Sequence, residues 1–232
     1  MRKALLLARR EIVEQYSDRG ALFRALFFVA LPIGLIQLNR GGGRANDAFI
    51  LIFALQAALL PTATAINAAA GSFAAEKEAQ TLVPLLAAPI RDIDIVAGKL
   101  LGVLGPAAIL ALVSLAAYDT AASVEFGQER VARVLDPATL YGLFAVAVLF
   151  ILTIGAWVMV VSARVGSQRT AQQIAGFVLG GMVVALSAIG SLLQNIPVEV
   201  VLGVVIAILL SDLFALELAR RLWDREEAVA RL

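Results

Sequence analysis

An all-α integral membrane protein with six transmembrane helices, forming one transmembrane domain over residues 1–232, is the fold class that this sequence predicts. Three observations carry the prediction. Hydrophobic residues make up 61% of the chain and charged residues 16%, with a mean hydropathy of +0.89, where a soluble domain holds roughly 45–50% and about 25%. The excess falls in long uninterrupted blocks, the pattern of a chain whose solvent is lipid. The basic residues collect instead between alternate blocks, as the positive-inside bias requires of a chain threaded through a membrane.

The N-terminal arm reads as an amphipathic helix. Leu5, Ala8, Ile12 and Tyr16 recur at helical spacing, while Arg9, Arg10, Glu11 and Glu14 occupy the other faces. Such an arm lies in the membrane interface plane or serves only as a solvated topogenic arm. A helix crossing a hydrocarbon core of ~30 Å needs about 20 mostly apolar residues. Six segments meet or approach that length: 21–38, 49–70, 100–117, 140–161, 174–193 and 198–216. The first carries Arg24 near one end, where a long side chain can snorkel to the headgroups, and Pro32 and Gly34 allow it to bend. The sixth holds Glu199 at one end and Asp212 toward the other. Residues 39–48 form a glycine-rich turn, 118–139 a longer connection, and 194–197 barely reverse the chain.

The segment 71–99 is the most informative connection. Span two continues as a helix through Glu76-Lys77-Glu78. Thr81 is then a good N-cap, and Pro84 fits a first helical turn, where its missing N–H costs nothing. Leu82, Leu85 and Leu86 share one face of the resulting short helix, and Pro89 stops it. Asp92 or Asp94 caps the helix that becomes span three. A short leucine-faced helix thus lies parallel to the membrane, docked on a partner or pressed against the bilayer as a connector.

Six spans place both termini on one side. All of the 19 Lys and Arg residues fall on that side except Arg40, Arg44, Arg130 and Arg133, so both termini are expected in the cytoplasm. Tyr118 and Tyr141 then stand at the outer ends of spans three and four as interfacial aromatics. No cleavable signal peptide is expected, and a bacterial cytoplasmic (inner) membrane suits the chain.

Composition excludes several kinds of chemistry. With no cysteine and no histidine, there is no disulfide, thiol nucleophile, Ser-His-Asp triad or Cys/His metal site. A net charge of +1 leaves no footprint for nucleic acid. No phosphate-cradling G-x-x-x-x-G-K-[ST] loop occurs, and Gly41-Gly42-Gly43 has no following lysine. Those chemistries, and nucleotide binding by such a loop, are therefore not expected of this chain.

Within the spans, Gly98-x-x-x-Gly102 and Gly176-x-x-x-Gly180 allow close helix packing. Span two carries Gln56, Thr62, Thr64 and Asn67, and the eleven-residue step from Gln56 to Asn67 places both amides on one face. Interhelical hydrogen bonding accounts for such a face, and a lining for transported cargo, formed by Gln56, Thr64 and Asn67, is the other reading. Asp212 is a carboxylate well inside a span, which makes it a functional candidate by default. A water-exposed position near the cytoplasmic end, or a salt bridge to Arg220 or Arg221 about two turns away, is the structural alternative.

The loop also resembles the one that marks ABC-2 type permeases, the membrane subunits of many bacterial ABC exporters. Glu76-Lys77-Glu78 matches that family's acidic-basic run, Thr81-Leu82-Val83-Pro84-Leu85-Leu86-Ala87-Ala88-Pro89 its Thr-Leu-x-Pro-Leu-Leu-Ala-x-Pro stretch, and Gly98-Lys99 the Gly-Lys that opens the third span. The chain departs from the pattern at Gln80, where glycine is common, and at Val83, where an acid is common. The resemblance implies that residues 81–88 are a coupling helix docking on a separate ATPase subunit. It implies contacts to that subunit from Glu76, Lys77, Glu78, Thr81, Leu82, Val83, Leu85 and Leu86. It further implies two ATPase copies that hold ATP and Mg, and a second permease copy, identical or related.

Other readings stay in view. A haem-exporter-type permease of cytochrome c maturation has a similar span count, but a chain without histidine offers no imidazole to haem iron. An ion-coupled secondary transporter would show matched broken helices in its two halves, whereas Pro32, Pro61 and Pro106 have no proline counterparts within spans four to six. A membrane assembly factor is the third. The cargo itself is not legible.

Overall fold

The computed structural model describes residues 2–17, 19–38, 47–78, 92–165, 167–177 and 198–222, and among them every regular element is helical. Helix α1 (Arg2–Ser17) is the N-terminal arm, and α2 (Arg19–Leu38) covers the segment expected as span one. The helix continues through Pro32 and Gly34 without interruption.

Span two is not one helix. It is built from α3 (Asp47–Leu59) and α4 (Thr62–Glu78), separated by a turn at Leu60 and Pro61. Pro61 has no N–H to give to the ladder. The chain instead closes the turn with short bonds from Ala63 N to the Leu60 carbonyl at 3.1 Å and from Thr64 N to the Pro61 carbonyl at 3.0 Å. The Thr64 hydroxyl adds a second bond to the Pro61 carbonyl at 2.7 Å. As expected, α4 carries the helix through Glu78.

Span three is longer than the window 100–117 suggests. Helix α5 (Asp92–Phe126) has 35 residues, about 52 Å at 1.5 Å per residue, well beyond a hydrocarbon core of ~30 Å. It opens at Asp92 and continues past Tyr118-Asp119, since Asp119 lies within the helix without ending it. Gly127 stops it, at a φ of 89° that L side chains rarely adopt. The connection 118–139 is accordingly mostly helical, with the end of α5 followed by α6 (Gln128–Val134).

Span four lies in α7 (Pro137–Arg164). Its start follows capping rules: Asp136 Oδ1 accepts the Thr139 N–H at 2.8 Å, and Pro137 occupies the first turn. Residues 168–177 form α8, and α9 (Val198–Leu222) covers the segment expected as span six. Most of span five falls outside the described residues. Three stretches are long and apolar enough to cross a membrane: Asp47–Ala74, Asp94–Phe126 and Pro137–Arg164. The chain is an integral membrane protein.

The chain divides into two compact units. The unit formed by Arg10–Ala65 and Val103–Ile151 packs alanines such as Ala54, Ala57, Ala107 and Ala111 at full burial, small residues that let helices approach closely. Tyr118 belongs to this core. Expected at the interface, it is fully buried instead, because α5 runs on beyond it, and its hydroxyl donates to the Ile50 carbonyl at 2.9 Å. Tyr141 is exposed, as an interfacial aromatic should be. Phe49 stacks against Phe53 and Phe126, and Arg130 pairs with Asp47 at 3.0 Å.

The other unit comprises Met1–Arg9, Ile66–Gly102 and Leu152–Leu232. There α7 and α9 meet through Ala156, Val160, Ala215 and Ala219. Leu209, Leu210, Leu213 and Phe214 of α9 are exposed.

Candidate functional site

The expected ATPase contact begins where α4 ends. Glu76, Lys77 and Glu78 continue that helix, and Thr81, Leu82, Val83, Leu85 and Leu86 lie outside the described residues. The structure shows instead what the segment 79–91 is rooted in. On one side is α4, on the other the first turns of α5, and both are tied by buried polar bonds.

Lys99 is the central group. Its side chain is 2% exposed, its ammonium donates to the Ser72 carbonyl, and it stands 5.2 Å from the centre of the Phe73 ring. A cation held against a carbonyl and a ring face keeps electrostatic partners that the surrounding apolar side chains cannot supply. Beside it, the Ser162 hydroxyl of α7 donates to the Ala70 carbonyl at 2.8 Å and accepts from Ala74 N at 3.0 Å and Phe73 N at 3.2 Å. The Ser72 hydroxyl folds back onto the Ala69 carbonyl at 2.6 Å. Gly98 and Gly102, flanking Lys99 on α5, are both buried.

Sequence reasoning flagged Lys99 only as part of a motif and missed Ser162. The available signal was a serine one residue beyond the expected end of span four, at 161. A serine there bonds its own helix or another, and only the tertiary structure tells which.

The polar residues of span two fall differently from the expectation. Gln56 is exposed on α3, Asn67 is half-buried on α4, and the turn at Leu60 and Pro61 interrupts the eleven-residue register on which a shared face rested. Thr64 is buried and bonded locally to Pro61. The Thr62 hydroxyl, also buried, has no hydrogen-bond partner among the described residues.

Asp212 is 2% exposed within α9. One carboxyl oxygen accepts the Thr153 hydroxyl at 3.1 Å, and the other has no partner among the described residues. One residue earlier, Ser211 accepts the Trp157 indole N–H at 3.2 Å. Thr153 and Trp157 also line a small apolar recess of about 170 Å³ with Val161, Ile174 and Ala175. The side chains of Arg220 and Arg221 lie outside the described ones. Gly176 is exposed, with open space where a Cβ would stand, and Gly180 lies outside the described residues.

Among curated proteins none matches the chain. A family described as ABC-2 family transporter protein matches residues 9–198, from within α1 to the first residue of α9. That match covers most of the 232 residues, including the 76–99 segment with its Glu-Lys-Glu run and Gly98-Lys99. With three long apolar stretches and the motif-bearing segment joining the first two of them, the chain belongs to the ABC-2 family of transporter proteins.

Proposed function

We propose that this chain is the permease subunit of an ATP-driven exporter, worked by a separate ATPase that docks on residues 81–88. The observation that carries the reading is the segment joining α4 to α5: Glu76-Lys77-Glu78, then Thr81 to Pro89, then Gly98-Lys99. It joins two apolar stretches, Asp47–Ala74 and Asp94–Phe126, so a force applied to it acts on both. The chain spans the membrane six times with both termini in the cytoplasm, and two copies, identical or related, pair with two ATPase subunits. ATP and Mg are held by the partner, since this chain has no phosphate-cradling loop.

Leu82, Leu85 and Leu86 give the docking helix its apolar face, each worth ~1.5–3 kcal/mol when fully buried. Truncating central apolar anchors of an interface costs ~2 kcal/mol or more, and ~1.4 kcal/mol is tenfold in affinity. Leu85→Ala with Leu86→Ala should therefore lose the ATPase in co-purification while the chain still inserts. Undiminished ATPase recovery would show that residues 81–88 are not the docking element. In the same preparation the chain alone should hydrolyse no ATP.

A further inference from the structure

The turn of α4 at residues 69–74 carries bonds that a plain helix does not have. The Ser162 hydroxyl uses its one donor on the Ala70 carbonyl and accepts from both Phe73 N and Ala74 N. In a regular helix the Ala74 N–H and the Ala70 carbonyl pair with each other. Here a hydroxyl from another helix stands across that rung. The Ser72 hydroxyl adds a further bond at this turn, to the Ala69 carbonyl. Lys99 holds the Ser72 carbonyl of the same turn from α5.

The position of this turn gives it a function. It lies just ahead of Glu76-Lys77-Glu78, where α4 ends, and Lys99 lies in the second turn of α5, directly after segment 79–91. Both roots of that segment are thus bonded at one node, and Ser162 ties the node to α7. A joint required only for cohesion would be cheaper in apolar atoms: an ammonium taken out of water costs several kcal/mol before its partners compensate, and apolar replacements of buried charges are often neutral or stabilising. Directional bonds to backbone, by contrast, hold one helix in register with a particular turn of another.

We infer that Ser162 and Lys99 are positioning residues of the ATP-driven cycle, passing displacement of segment 79–91 into α7 and α5 through the Ala70–Ala74 turn of α4. The inference rests on the proposed docking of an ATPase on that segment.

The test uses the complex of the chain with its ATPase subunit in lipid vesicles. The chain has no cysteine, so Gln56→Cys, at an exposed position of α3, gives it one thiol. Its maleimide labelling rate is read on the band of this chain, with and without ATP, Mg and vanadate. In the parent, trapping should change the rate severalfold. Ser162→Ala and Lys99→Met should retain the ATPase and lose that change, and Ser162→Thr, which keeps the hydroxyl, should restore it. If Ser162→Ala and Lys99→Met respond as the parent does, the inference is wrong. It is equally wrong if both lose folding or ATPase recovery, for the node is then a structural joint, or if a docked parent shows no change. A parent that fails to retain the ATPase overturns the docking proposal itself, which keeps the two failures apart.

Discussion

In Asp136-Pro137-Ala138-Thr139, four residues set where α7 begins. Hydrogen bonds from Thr139, its side chain first and its backbone N–H second, hold the Asp136 carboxyl below the usual carboxylate range. A carboxyl whose pKa is lower in the folded state stabilises above its unfolded value of about 3.9 and loses that contribution as pH falls through the folded value. Asp136→Ala should therefore lower the Tm in detergent at neutral pH, and the gap to the parent should close as pH drops below about 4. A gap that stays constant down to pH 3 would mean the carboxylate is not the stabilising species. The bonds of this cap are local, within four consecutive residues. Ser162 and Asp212 are the opposite case: Ser162 bonds a helix about ninety residues earlier in the chain, and the Thr153 partner of Asp212 is 59 residues away. Neither distance leaves a mark in the sequence.

At the scale of elements, composition locates apolar stretches well and their limits poorly. Counting uncharged residues ends span three near Tyr118, yet helix formation continues to Gly127, because Asp119 and Glu125 are tolerated in a helix and a positive φ is what finally ends it. Counting also merges α3 and α4, since Pro61 is as apolar as its neighbours while removing the N–H that a continuous helix needs. The overlong α5 alters what Tyr118 does. With its hydroxyl on the Ile50 carbonyl at 2.9 Å, it fastens α5 to α3 instead of marking an interface. Tyr118→Phe should destabilise the detergent-solubilised chain by about 1 kcal/mol, the usual net value of one such bond, without changing the labelling of outer residues. An unchanged Tm would assign the packing of α5 on α3 to the ring alone.

At the scale of the whole molecule, sidedness follows from parity before any total of spans is fixed. Between Glu129 on α6 and Arg169 on α8 lies one long apolar helix, α7, so if α7 spans, the two residues face opposite sides. Between Lys77 and Glu129 lies one other, α5, which puts Lys77 with Arg169. In the proposed six-span topology the basic residues choose the side: 77, 91, 164 and 169 share it with the arginines and lysines of the N-terminal arm, and Arg130 and Arg133 have few companions opposite. A charge at the bilayer centre costs about 2.5–3.5 kcal/mol even on insertion-derived scales, and basic loops are retained in the cytoplasm. Glu129→Cys should accordingly react with an impermeant maleimide in intact cells, and Arg169→Cys only after permeabilisation. With no native cysteine the signal belongs to the introduced thiol alone. The reverse pattern would place segment 79–91 outside, where no cytoplasmic ATPase can reach it, and would end the proposed coupling together with the topology. Labelling of both thiols in intact cells would mean that α7, despite its 28 residues, does not cross the membrane.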